Sequence, residues 1–289
     1  MKAIQTRQLT KYYGHSRGIE DLNLEVEEGD IFGFIGPNGA GKSTTIRTLI
    51  NLIFPTAGSA QVLGLDIIKD TREIRRNIGY IPAEINYYGD MSAMELLDYS
   101  ASFYAMDCTG RIKALIERFE ISPDKKIGEL SSGNKKKLAI VQALLHRPQL
   151  LILDEPTSGL DPLMQNVFFE VLREENQRAT IFLSSHILSE VQRLCHRIAI
   201  IKQGRILKVE EIEHLRKEQF KTVSIEYERV DEPVLNISGM TALDRTARQD
   251  KFMFKGDLHE LLYALSQRDI KNVLIEEPSL EDIFMHYYE

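Results

Sequence analysis

The apolar run Ile31 to Ile35 breaks off into Gly36-Pro37-Asn38-Gly39-Ala40-Gly41-Lys42-Ser43-Thr44. Few folds accommodate such a junction. Glycine reaches backbone torsions closed to other residues, so the chain curls tightly and its N–H groups converge on one point. Ile46, Leu49, Ile50 and Ile53 follow at helical spacing. A helix there adds the positive end of its dipole. Gly36 to Ser43 fits G-x-x-x-x-G-K-[ST]. In that pattern the lysine brings a full charge to the β- and γ-phosphates, and the Ser43 hydroxyl is a hard oxygen ligand suited to Mg²⁺. The bland alternative is a glycine-rich strand–helix turn with a surface lysine. An apolar strand before and a helix after favour the clamp for a nucleoside triphosphate.

Two further continuous apolar runs, Leu150 to Asp154 and Thr180 to Ser185, end in turn residues and lead into helical patterning. They read as buried parallel strands, which gives an α/β core. The first ends in Asp154 and Glu155, at the carboxyl edge where open α/β sheets place ligands. There Asp154 would serve Mg²⁺ and Glu155 would polarise the attacking water. Two solvated carboxylates at a strand end are the plain alternative.

Upstream, residues 1–30 alternate apolar and polar, as an antiparallel sheet with one wet face does. Residues 90–148 carry helical spacing in SAMELLDYSASFY and GRIKALIERFE. IAIIKQGRIL reads as a hairpin turning at Gly204. The pattern changes near residue 219. KTVSIEYERV, KFMFKG and KNVLIEE read as strands, DLHELLYALSQRD as a helix, and SLEDIFMHYY as a short closing helix. The expected organisation is a nucleotide-binding domain over 1–219 and a small α+β domain over 220–289.

The net charge of −7 argues against a basic nucleic-acid footprint. Cys108 and Cys195 lie far apart without a C-x-x-C, so a disulfide framework or zinc site is not expected and a reducing cytosol fits. The first residues have no apolar signal-peptide core. No apolar run approaches the roughly 18 residues that span a bilayer. If the protein serves a membrane, another polypeptide must cross it.

Smaller motifs narrow the family. LSSGNKKKLAIVQALLHRP, over 130–148, resembles the signature of ABC transporter ATPases, commonly LSGGQ followed by a basic helix. SGLDP, over 158–162, resembles their D-loop. FLSSHIL places His186 where the family has its switch histidine, and Tyr13 in KYYG matches the aromatic that stacks on adenine. These motifs stand once each, in the family's order, and the resemblance covers residues 1–215. It implies a P-loop fold with a RecA-like parallel-sheet core, an antiparallel β subdomain and a helical subdomain. It also implies ATP and Mg²⁺ as cofactors. The loop Gly36, Pro37, Asn38, Gly39, Ala40, Gly41, Lys42, Ser43 and Thr44 would bind phosphates. Ser43 and Asp154 would serve the metal, Glu155 would act as base, and His186 would sense the γ-phosphate. Ser131, Ser132 and Gly133 would close the site of a second ATPase subunit, identical or related, with Asp161 at the boundary.

The sequence departs from the family pattern at two places. Ser132 replaces a glycine and Asn134 a glutamine in the signature, but a serine keeps the N–H that cradles phosphate. The glutamine loop, usually Y-x-P-Q, reads Tyr80-Ile81-Pro82-Ala83-Glu84, which makes Glu84 the nearest candidate metal ligand. Tyr87, Tyr88, Phe103 and Tyr104 fit either contact with a membrane partner or ordinary core packing. The tail resembles those of bacterial ATP-binding subunits paired with ABC-2-type membrane proteins, often exporters of drugs, peptides or antibiotics. That resemblance implies a cytoplasmic subunit held at the inner face of the membrane by a separate integral transporter subunit, with no nucleic acid bound. The alternative is a soluble ABC-type ATPase: an assembly, immunity or nucleic-acid-linked factor without transport. DNA-repair members carry long coiled coils and ribosome factors usually two cassettes, and neither is found in this sequence.

Overall fold

The structure is a computed structural model and describes residues 1–217, 221–229, 235 and 237–276. The closing helix expected over SLEDIFMHYY lies outside the described residues. The chain divides into two compact units, residues 1–209 and 210–289.

In chain order the first unit begins β1 (Lys2–Tyr13), β2 (Ser16–Leu22), β3 (Glu25–Glu27), β4 (Ile31–Ile35), α1 (Lys42–Leu49), β5 (Ala57–Val62) and β6 (Leu65–Asp66). It continues with α2 (Thr71–Asn77), β7 (Ile78–Ile81), α3 (Ala93–Ala101), α4 (Thr109–Arg118), α5 (Ser132–Leu144) and β8 (Leu150–Asp154). α6 (Pro162–Asn176), β9 (Thr180–Ser185), α7 (Leu188–Leu194), β10 (Arg197–Lys202) and β11 (Arg205–Glu211) complete the series. β2, β1, β5 and β6 form an antiparallel sheet in that order, with β3 also on β1. A second sheet has the order β11-β10-β4-β9-β8-β7. From β10 to β7 each neighbouring pair is parallel.

Every residue of β4, β8 and β9 is buried. That is why these strands read as unbroken apolar runs, whereas a sheet with one wet face alternates. Ile46 and Leu49 of α1 share a core with Ile4 and Leu9 of β1 and with Phe32, Phe34 and Phe182 of the parallel sheet. The helix that follows the glycine-rich turn is therefore anchored between the two sheets. It stops at Leu49, earlier than the spacing to Ile53 suggests, because Asn51 turns left-handed at φ 53°.

Three strands of this unit have no counterpart in the sequence reading: β5, AGSAQV, buries only Ala60 and Val62, β6 has two residues, and β7 has four residues before Pro82. The expected helices appear as α3, whose Ser92 and Glu95 form a reciprocal capping box, and α4. The hairpin β10–β11 turns through Gln203 and Gly204, both at positive φ.

The second unit holds α8 (Ile212–Lys217), β12 (Lys221–Tyr227), β13 (Met240–Arg245), β14 (Gln249–Phe254), α9 (Leu258–Ser266) and β15 (Ile270–Glu276). Its strands form an antiparallel sheet, β13-β14-β12-β15. Val223, Ile225, Phe252, Phe254 and Leu261 make its core. β13 has no counterpart among the strands read from the sequence.

Candidate functional site

Parallel strands deliver their carboxyl ends to one edge. β4 ends there in the glycine-rich turn, β9 in Ser185 and His186, β8 in Asp154 and Glu155, and β7 in Pro82 and Ala83. Because β9 lies between β4 and β8, the turn and the acidic pair stand one strand apart.

The turn is closely fitted. Gly41 has φ 111°, and a Cβ on it would stand 2.8 Å from the Gly18 carbonyl oxygen. Only glycine satisfies both conditions. Lys42 is almost fully buried and folds back on its own loop, its Nζ donating to the carbonyls of Gly36 at 2.7 Å and Pro37 at 3.3 Å. The same ammonium makes an ion pair with Glu155 Oε1 at 3.2 Å. Oε1 is buried and accepts no hydrogen bond among the described residues. Glu155 Oε2 meets Nδ1 of His186 at 2.8 Å. Lys42, Glu155 and His186 thus form one continuous chain of polar contacts.

The residues behind this chain hold it in place. Asp154 is fully buried, and Ser184 of β9 donates to its Oδ1 at 2.6 Å. Its Oδ2 has no partner among the described residues. Ser185 accepts from the Ile187 N–H at 2.9 Å and donates to buried Glu190 at 3.1 Å, which fixes the turn that presents His186. Burial pushes the Glu190 carboxyl above its usual range. Glu155 has φ 48°, a left-handed conformation costing a non-glycine residue about 1–2 kcal/mol.

A cleft of about 350 Å³ opens beside these groups. Tyr13, Arg17, Gly18, Asn38, Gly39, Gly41, Lys42, Ser43, Thr44, Ala83 and Glu155 line it. Tyr13 is half exposed at its rim, with Lys11 Nζ 5.4 Å from the ring centroid. The lining does not include Gly36, Pro37, Ala40, Glu84, Ser131, Ser132, Gly133, Asp154, Asp161 or His186. Glu84 lines a separate groove of about 520 Å³ with Arg75, Tyr87, Tyr104, Gln142 and His146 among others. The aromatic cluster divides. Tyr87 donates to Gln142 at 2.7 Å and Tyr104 stacks on His146 with centroids 3.9 Å apart, while Tyr88 and Phe103 are exposed.

Ser131 caps α5, its hydroxyl accepting from the Asn134 N–H at 3.3 Å. The first N–H groups of that helix have no intrahelical acceptor. Gly133 lies against the SGLDP stretch: a Cβ there would stand 2.7 Å from the Gly159 carbonyl oxygen. Asp161 caps α6, accepting from Met164 N–H at 2.9 Å, with Pro162 at the first helical position.

Sequence reasoning passed over Arg17, Gly18, Ser184 and Lys136. Lys136, in the run Lys135-Lys136-Lys137, looks like part of a solvated basic face. It is buried, and its Nζ donates to the carbonyls of Pro82 at 3.2 Å, Ala83 at 3.3 Å and Glu155 at 3.2 Å. Burial pushes its ammonium below the ordinary lysine value, against the pull of Asp154 and Glu155. The available signal was register: Lys136 shares a helix face with the buried Ala139, Ile140 and Ala143.

A family model described as ABC transporter matches residues 19–158. The bacitracin transport ATP-binding protein BcrA of Bacillus licheniformis is 36% identical, with 98% of this chain and 96% of the relative covered. The Nod factor export ATP-binding protein I of Paraburkholderia xenovorans is 32% identical, again over 98% and 96%. Among solved structures, an ATP-binding subunit of an ABC transporter is 31% identical with a TM-score of 0.71, covering 74% of this chain and 92% of that one. A dimeric bacterial ABC transporter cassette shares the fold at 24% identity and a TM-score of 0.67, covering 72% and 98%.

Proposed function

The chain belongs to the ABC transporter ATP-binding proteins, and on that premise we propose that it is the ATP-hydrolysing motor of an exporter whose membrane-spanning part is a separate chain. Among the described residues no helix is long and apolar enough to cross a membrane. The proposed cargo is a drug, peptide or other amphipathic toxic compound, by analogy with the bacitracin and Nod factor relatives. The chain would then lie at the inner face of the membrane through its partner.

The contact chain Lys42–Glu155–His186 carries the reading of the site. A nucleotide in the cleft would stack its base on Tyr13 and bring its phosphates to the turn. The γ-phosphate competes with Glu155 for the Lys42 ammonium, and His186 senses it. Released from Lys42, the Glu155 carboxylate accepts a proton from water as that water attacks the γ-phosphorus. The bond to the bridging oxygen breaks and ADP leaves with both bridging electrons.

The donor set fits a divalent cation: Ser43 lines the cleft, and Asp154, buried outside that lining, carries a carboxylate oxygen with no partner among the described residues. Ser43 and Asp154 would hold Mg²⁺, and Glu84 is the proposed further donor. Bound there, the ion neutralises charge on the phosphates. Ser131, Ser132 and Gly133 present a helix N-terminus to the nucleotide of a second ATPase subunit, so ATP joins two subunits and hydrolysis parts them.

Two measurements test the proposal together. The full chain should hydrolyse ATP, and it should co-purify with a multi-span membrane protein when both are expressed. Hydrolysis without such a partner would favour the soluble-ATPase alternative.

A further inference from the structure

We propose that Lys136 is a positioning residue for ATP hydrolysis, holding the main chain of Glu155 and the exit of β7 in the geometry that aims the Glu155 carboxylate. The inference rests on the reading of Glu155 as the base.

Three carbonyl oxygens, of Pro82, Ala83 and Glu155, converge on one buried ammonium at 3.2–3.3 Å. An ammonium has three donors, and here each has one acceptor. The three carbonyls come from the ends of two neighbouring strands, β7 and β8, and the lysine from the second turn of α5. One side chain therefore ties together the helix that begins at the signature, the loop that carries Ala83 into the cleft, and the acidic strand end.

Glu155 needs such a support. Its torsion is left-handed, and its side chain lies between Lys42 and His186. On one side the Glu155 N–H donates to the Ser184 carbonyl at 3.1 Å. On the other its carbonyl accepts from Lys136 and, at 3.3 Å, from the Ser158 N–H. If phosphate draws Lys42 away, these main-chain contacts remain to set the direction of the carboxylate. A displacement of about 1 Å at a reacting group costs on the order of 10²-fold in rate. Among the described residues the Lys136 ammonium makes no hydrogen bond to the glycine-rich turn or to Tyr13, and it reaches the cleft only through the main chain of Ala83 and Glu155, so its effect is expected on the chemical step.

The test compares single-turnover hydrolysis and ATP affinity for the full chain carrying Lys136→Met, Lys136→Gln, Glu155→Gln, and Lys136→Met with Glu155→Gln. Lys136→Met is expected to slow hydrolysis by about 10–10²-fold with ATP affinity unchanged. Lys136→Gln keeps at most two donors and falls between Met and the parent. If Lys136→Met does not fold, Lys136→Gln carries the test, and a parental rate in it overturns the proposal. In the Glu155→Gln background Lys136→Met should add no further loss, since it acts through Glu155. An equal fractional loss in both backgrounds means general damage and overturns the proposal. A slow Glu155→Gln beside a parental-rate Lys136→Met overturns this inference alone. A parental-rate Glu155→Gln overturns the role of Glu155 and this inference with it.

Discussion

Glu155 and Lys42 face each other as a nearly buried ion pair, Oε1 at 3.2 Å from Nζ, with side-chain exposures of 16% and 6%. Removing one member of such a pair leaves the other charge without compensation in a poorly hydrated place. The lysine proposed to hold phosphate is thus matched by the carboxylate proposed to activate water. On that proposal binding and chemistry share one electrostatic contact, and exchanging its partners would be the step that couples them.

Glu155→Gln keeps the shape of the side chain and removes both the proposed base and the carboxylate paired with Lys42. ATP should bind more tightly than to the parent, hydrolysis should fall by roughly 10²–10⁴-fold, and ATP-bound dimers should accumulate. Equilibrium nucleotide titration, phosphate release and sedimentation check the three parts. Parental hydrolysis would mean that another group activates the water.

Lys42→Ala removes the charge proposed to meet the phosphates and the donor that closes the turn onto Gly36 and Pro37. A hydrogen bond to a charged group contributes about 1.5–3 kcal/mol, so ATP affinity should fall by roughly 10–10²-fold. Direct titration of ATP against the folded variant reads this, and an unchanged affinity would move the phosphates elsewhere.

Glu84 is the outlying member of the proposed metal set, since Ala83 lines the cleft and Glu84 the neighbouring groove. If Glu84 serves Mg²⁺, the ATPase activity of Glu84→Ala should need clearly more Mg²⁺ than the parent, with Glu84→Gln intermediate. One shared Mg²⁺ curve for all three would assign the side chain to the groove alone.

His146 stacks on Tyr104, its Nε2 lies 3.1 Å from the Ile78 carbonyl oxygen, and burial lowers its pKa to about 4. The unfolded imidazole takes up a proton below about pH 6.5, while the folded one stays neutral down to about pH 4. The stabilisation is therefore complete above pH 6.5 and is lost as the pH falls towards 4, amounting to about 3 kcal/mol. His146→Phe keeps the stack without the titration. Between pH 7 and pH 4 the parent should lose about that much more stability than this variant in denaturant titrations. Equal losses would refute the assignment.

The second unit contains none of the residues proposed to handle nucleotide. A chain ending at residue 217 keeps all of β11, which belongs to the six-stranded sheet. It should bind ATP with parental affinity and, if the appendage supports pairing, dimerise more weakly in ATP. A folded truncation that cannot bind ATP would contradict this division of labour.

The turn and the acidic strand end were legible because each rests on local chemistry, glycines followed by a lysine and a buried run ending in carboxylates; His186 was picked out only by the resemblance to the family's motif order. The strands β5, β6, β7 and β13 were not legible, since they draw their order from neighbours and not from their own patterning. The closing helix lies outside the described residues.

The amino-acid sequence by itself determined which residues could bind phosphate, and the parallel sheet that would carry them. Strand periodicity and turn chemistry are written in neighbouring positions, and they survive without knowledge of the fold. Only the tertiary structure decided that Glu155 faces Lys42 and His186, that Ala83 and not Glu84 lines the cleft, and that Lys136 turns inward to three carbonyls. Those outcomes depend on the strand order, which sets β9 between β4 and β8, and on the rotation of α5 about its axis. Both are settled by burying apolar area over the whole unit, a sum that no short stretch of sequence contains.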